Sequence, residues 1–114
     1  PKFDSEEVGL KLAFTGTIKE EILQRTEIAY YLVKFLLENY IELLCSRYKL
    51  NVQEIKEKLQ RVDRPENENI YEVFLDIGRK RGCIISGGNI DEEKTARIIL
   101  DEFKNGKIGK ITLE

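Results

Sequence analysis

An all-α domain is what this sequence predicts: a compact bundle of about five to six helices around one long central helix. Three observations carry the expectation. Thr26 to Tyr48 runs for twenty-three residues without Gly or Pro, with Ile28, Leu32, Phe35, Leu36, Leu43 and Leu44 recurring at the helical period. Capping boxes, a polar cap followed three residues later by Glu, stand at Asp4/Glu7, Thr17/Glu20, Asn51/Glu54, Asn69/Glu72 and Asn89/Glu92. No alternating run is long enough for a sheet.

The elements follow in order. Asp4 and Glu7 open a short helix near 5–14 through Val8 and Leu12, and a second lies near 18–25 with Ile18 and Ile22. Thr26 is placed to cap the central helix. There Ala29, Val33, Leu37 and Ile41 form a second apolar row beside the first, so the helix must be covered over most of its circumference. At ~1.5 Å per residue it would span roughly 34 Å, the width of a small domain. Glu27, Lys34, Glu38, Glu42 and Arg47 make it too polar for a membrane span. Three more helices are expected near 51–61, 69–81 and 90–104, with core faces Val52, Ile55, Leu59; Ile70, Val73, Phe74, Ile77; and Ala96, Ile99, Leu100, Phe103. Breaks fall at Gly16, Asp63-Arg64-Pro65, Gly82 through Asn89, and Asn105-Gly106, where Gly106 suits a left-handed cap. Ile108, Ile111 and Leu113 in the tail would anchor the terminus on the bundle.

At 114 residues the chain is one domain, 1–114, able to fold on a single core. Hydrophobic residues at 41% beside 35% charged ones describe a globular protein, and no secretory or transit pattern opens it. The first residue is Pro1 rather than Met, as in a piece of a longer chain. Cys45 and Cys83 fit no metal spacing and read as two free thiols. With no histidine, the commonest general base and zinc ligand are missing, so catalysis is disfavoured. A net charge of −2 gives no global nucleic-acid signal. Any such role must rest on local patches.

Such patches occur in the last third. Gly78 to Ile90 holds Arg79, Lys80 and Arg81 without an acid, and Phe103 to Leu113 holds Lys104, Lys107 and Lys110, again without one. Between them Lys94, Arg97 and Lys104 share one helix face. Two basic loops bracketing a helix with a basic face could wrap a phosphate backbone. The plainer reading is a solvated face, in which Lys94 and Arg97 pair with Glu93 and Asp101. Two other motifs do not hold up. Gly82 to Asn89 has the outline of a phosphate loop but puts Gly88 and Asn89 where Lys and a hydroxyl are required, and Asp91-Glu92-Glu93 fill the helix end that an anion would use. Glu20-Glu21 and Glu92-Glu93 point to different helix faces and are not paired catalytic carboxylates. Tyr30, Tyr31, Tyr40 and Tyr48 could stack on bases but read first as core.

Several stretches resemble a known family. Arg79-Lys80-Arg81-Gly82-Cys83, Gly87-Gly88, Asp91 and the run Asp101 to Glu114 (DEFKNGKIGKITLE) are similar to the C-terminal end of the YlqF-type ribosome biogenesis GTPases, which are circularly permuted. Pro1-Lys2-Phe3, Glu7 to Ala13 and Gly16 resemble the stretch just after the DxPG switch motif of that family. The resemblance implies a bacterial, cytoplasmic protein acting late in assembly of the large (50S) subunit. Its GTPase motifs would precede Pro1, and its helical C-terminal domain would be ANTAR-like. In that reading residues 1–16 are a connector from the switch region. The chain is then a non-catalytic rRNA-binding domain, with no cofactor of its own; GTP and magnesium belong to the GTPase domain. Its expected partners are 23S rRNA, the large-subunit precursor and its own GTPase domain, with no membrane and as a monomer. Arg79, Lys80, Arg81, Lys94, Arg97, Lys104, Lys107 and Lys110 would contact phosphates. Where the family's tail often has Arg, Lys104 and Lys110 keep the charge but lose the planar fork. The alternative is a protein-interaction domain docking on its GTPase domain or a ribosomal protein through Phe3, Val8, Leu12 and Phe14.

Overall fold

Helix α1, Ile22–Asn39, is the element the others surround in the computed structural model, which describes residues 22–111. Its two apolar rows bury Ile28, Ala29, Leu32, Val33, Leu36 and Leu37, while Phe35 is partly covered. The described residues add α2 (Ile41–Tyr48), α3 (Val52–Leu59), α4 (Glu66–Lys80) and α5 (Glu92–Lys104). α1 packs most extensively on α5 and also on α2 and α4. The all-α bundle expected from sequence is therefore present. The connector 1–16, the helix near 5–14, most of that near 18–25, and Leu113 lie outside the described residues.

The long central helix is not continuous. It starts by Ile22 and runs through Thr26, which caps nothing, because neither Gly nor Pro interrupts the approach. It then breaks at Tyr40, whose backbone leaves the helical region at φ −142°, ψ 42°. The Asn39 side-chain amide donates to the Phe35 carbonyl at 3.0 Å, closing the last turn of α1. The Phe35 and Tyr40 rings pack 6.1 Å apart at the bend. Tyr40 N still donates to Leu36 O, and Leu44 N to Tyr40 O. No residue is gained or lost at the bend, so the apolar period passes through it unchanged. That is why the sequence reads as one helix. Past the bend, Leu44, Cys45 and Tyr48 join the core.

Two of the expected caps are displaced. Asn51 caps α3 as expected, its side chain accepting from Glu54 N at 3.0 Å. α4, however, begins three residues before Asn69, immediately after the extended Pro65. Asn69 is buried inside it, accepting from Arg64 Nε at 2.6 Å and donating to the Arg61 carbonyl at 3.0 Å, so it closes the α3–α4 loop instead. α5 is capped by Asp91, which accepts from Lys94 N at 3.1 Å, and not by Asn89. Asn89 belongs to a hairpin whose extended arms meet at an Ile84–Ile90 bridge, and its carbonyl accepts from Ile85 N. Gly87 and Gly88 make the turn at positive φ, as a tight turn requires. The C-terminal cap is as expected: Gly106 takes φ +72°, Lys107 N reaches Glu102 O, and Gly106 N reaches Phe103 O, the Schellman pattern. Ile108 is then buried and Ile111 packs on the core's edge.

Tyr30, Tyr31 and Tyr40 lie at the core margin and Tyr48 is fully inside, whereas Tyr71 is exposed. Cys45 and Cys83 are free and buried, and burial pushes the Cys45 thiol up. Among the described residues no helix is long and apolar enough to cross a membrane.

Two contacts fix how α5 lies. Gly78 lets α4 approach it: a Cβ there would sit 2.6 Å from Thr95 Oγ1 and 2.7 Å from Ile90 Cγ2. At the far end, Glu102 Oε1 accepts from Arg47 Nε at 3.2 Å and Arg81 Nη2 at 3.3 Å, joining α2, α4 and α5. Burial opposes ionisation of Glu102, but the Arg47 hydrogen bond and the Arg81 and Arg47 charges outweigh it and hold its carboxyl below the usual range.

Gly78→Ala should therefore lower stability by about 1–3 kcal/mol through overpacking against Thr95, read as a lower urea midpoint at unchanged m. Glu102→Gln should cost about 1–2 kcal/mol at neutral pH. Because the folded carboxyl is depressed, its contribution is present above the unfolded value and is lost as pH falls through the folded one. The gap between wild type and variant should narrow below about pH 4, where urea melts as a function of pH will show it.

Candidate nucleic-acid interface

The eight basic residues singled out by sequence divide into two groups once the chain folds. Arg79 and Arg81 are held by carboxylates. Arg79 Nη1 lies 2.7 Å from Asp76 Oδ1, whose other oxygen bonds Lys58 Nζ. Arg81 is half-buried, bonded to Glu102, with its guanidinium 5.0 Å from the centre of the Tyr48 ring. Burial first, and then Glu102, pushes the Tyr48 phenol well above its ordinary value, so it stays neutral beneath that cation. Arg81 is a strut between the ends of α4 and α2.

Lys80, Lys94, Arg97, Lys104, Lys107 and Lys110 are exposed, and none of them has a carboxylate within ion-pair range among the described residues. The pairing of Lys94 and Arg97 with Glu93 and Asp101 expected on the plainer reading does not form. Glu93 reaches instead across to Arg25 on α1, at 3.9 Å.

The helical period of α5 explains the arrangement. Thr95, Ala96, Ile99 and Leu100 face the core, which leaves Lys94, Arg97, Asp101 and Lys104 on the outer stripe. This stripe and the start of α1 enclose a groove of about 490 Å³, lined by Arg25, Lys94, Arg97, Ile98, Leu100, Asp101 and Lys104. Four cations face it against one acid. Glu102 lies one residue along from Asp101, on the flank of α5 that meets Arg47 and Arg81, so Arg81 does not enter this groove. Lys107 and Lys110 follow the cap, on either side of buried Ile108, and carry charge beyond Lys104 at the same end of the helix.

Sequence reasoning missed Arg25. It sits far from the basic stretches in the chain and joins the groove only because α1 lies beside α5. Arg47 and Lys58, which hold Glu102 and Asp76, carried no local signal either. No group of residues able to hold a metal occurs among those described. The arrangement offers binding to a polyanion.

No family model matches the chain. Over its full 114 residues it is 43% identical to ribosome biogenesis GTPase A of Bacillus cereus and 43% identical to that of Priestia megaterium. It is 40% identical to ribosome biogenesis GTPase A of Bacillus licheniformis. All of this chain is covered in each comparison, but only 34%, 35% and 36% of those relatives. The chain thus spans about a third of the length of the curated relatives it matches. Across its whole length it is related by sequence to one third of ribosome biogenesis GTPase A.

Proposed function

We propose that this chain is the RNA-gripping segment of a ribosome biogenesis GTPase, docking it on the precursor of the large ribosomal subunit through 23S rRNA. The observation that carries the reading is the outer stripe of α5. Lys94, Arg97 and Lys104 stand exposed on a rigid helix, without carboxylate partners among the described residues, and face a groove with room for a backbone. Lys107 and Lys110 extend the positive surface. Cations presented this way attract phosphates and release counterions, and they do so without reading sequence. The chain's own role is binding; nucleotide chemistry, with GTP and magnesium, falls to the remainder of the longer protein. The relatives' name supports the setting, ribosome assembly.

A second reading, docking on a protein, draws on the hairpin tip, where Ile84 and Ile85 stand 54% and 50% exposed. Salt separates the two. Phosphate contacts through five cations give a log–log slope of about −4, whereas an apolar contact is nearly indifferent to salt.

In the full-length protein, Lys94→Ala/Arg97→Ala/Lys104→Ala should flatten the salt dependence of 23S rRNA binding by about 2–3 in slope. Filter binding across a potassium chloride series measures this. A wild-type slope in the triple variant would remove α5 from the interface. Melting should be unchanged, since all three side chains are exposed.

A further inference from the structure

The turn between α2 and α3 and the end of α4 enclose another groove, of about 290 Å³, lined by Lys49, Leu50, Asn51, Glu54, Ile55, Lys58, Asp76, Arg79 and Lys80. It shares no residue and no helix with the α5 groove. We propose that it is a second phosphodiester-binding site, so that the chain bridges two segments of RNA. This rests on the reading of the α5 groove as an RNA surface.

Lys49 is the first support. It is the sole non-glycine residue at positive φ among those described, held at φ 56°, ψ 42° as the C-cap of α2. That position is ordinarily glycine, because a Cβ there crowds the neighbouring carbonyl. A lysine tolerates the conformation at a cost in stability, and such strain collects where a side chain is needed for binding. The tertiary contacts then bring a second cation to the same groove. Arg81 over the Tyr48 ring ties the end of α4 to the end of α2, and Lys80 and Lys49 are the residues adjoining that contact. Neither has a carboxylate partner among the described residues.

The acids of the groove cancel only part of this charge. Asp76 is bonded on one oxygen by Lys58 and on the other by Arg79, which neutralise it and leave those cations in the wall. Glu54 lies in the first turn of α3, beside the Asn51 cap. Four cations thus line the groove against two acids, one of them doubly neutralised. A groove with this balance suits a phosphodiester, whose single negative charge is satisfied by the ammonium groups of Lys49 and Lys80.

The test uses the full-length protein and a 23S rRNA transcript. Lys49→Gly/Lys80→Ala removes both unpartnered cations. Glycine suits the left-handed position and alanine suits a helix end, so thermal stability should hold or rise. The expected result is a salt slope shallower by about 1.5–2, about tenfold weaker binding at moderate salt, and losses that add to those of the α5 triple variant. Hydroxyl-radical footprinting should show two protected RNA segments, one of them lost in this variant alone. Lys56→Ala, on an exposed part of α3 outside the groove, should bind as wild type. Wild-type slope and footprint in Lys49→Gly/Lys80→Ala would overturn the second site while leaving the α5 groove standing. An equal loss in Lys56→Ala would also overturn it, by showing that net charge alone is read. If instead the α5 triple variant binds as wild type, the reading of the α5 groove fails, and the bridging of two RNA segments proposed here is overturned with it.

Discussion

The constraint on which the fold depends is that α1 must be covered on nearly every side. Its two apolar rows bury six large or small aliphatic side chains, Ile28, Ala29, Leu32, Val33, Leu36 and Leu37. A fully buried aliphatic side chain of the larger kind contributes about 1.5–3 kcal/mol, so no single neighbour can be lost cheaply. α5 covers the broadest part of α1, and α4 and α2 cover equal shares of the rest, α2 after the bend at Tyr40. The close approach at Gly78 belongs to the same requirement, since α4 and α5 must both reach one helix.

This covering has a functional consequence. α5 is both roof and candidate interface. Its inner stripe of Thr95, Ala96, Ile99 and Leu100 fixes its rotation about its own axis, and that rotation turns Lys94, Arg97 and Lys104 to the surface. Those cations are presented by a helix whose position the core has already set, so binding has to order their side chains but not their backbone.

The basic residues are divided by which acids their place in the fold brings within reach. The two arginines of the α4 end are engaged by Asp76 and Glu102, and one stacks on Tyr48. A guanidinium is weakly hydrated, planar and suited to carboxylates and aromatic faces, so it tolerates partial burial. Lys80, Lys94, Lys104, Lys107 and Lys110 stay in solvent as compact charges, and Arg97 stays there with them. Exposed ion pairs contribute little by themselves. The Glu102 cluster matters because it is half-buried and joins three helices, and because it sets Lys80 and Lys49 beside one groove.

Features that depend on neighbours within about four residues were legible in the sequence. The all-α class, the two rows of α1, the Asn51 cap, the Gly106 terminus and the common stripe of Lys94, Arg97 and Lys104 are all of this kind. Each is governed by the helical period or by a local hydrogen bond. Tertiary structure decided the rest. Whether Asn69 or Pro65 opens α4 depended on Arg64 and the Arg61 carbonyl needing Asn69 elsewhere. Asp91 rather than Asn89 caps α5 because the Ile84–Ile90 bridge claims the preceding residues. The bend at Tyr40 preserves residue count, so periodicity cannot register it. Above all, which cations are engaged and which are open depends on carboxylates far away in the chain: Glu102 for Arg81, Glu93 for Arg25. A charge pattern along a sequence states how many cations there are; only packed helices determine which acids come within reach of them.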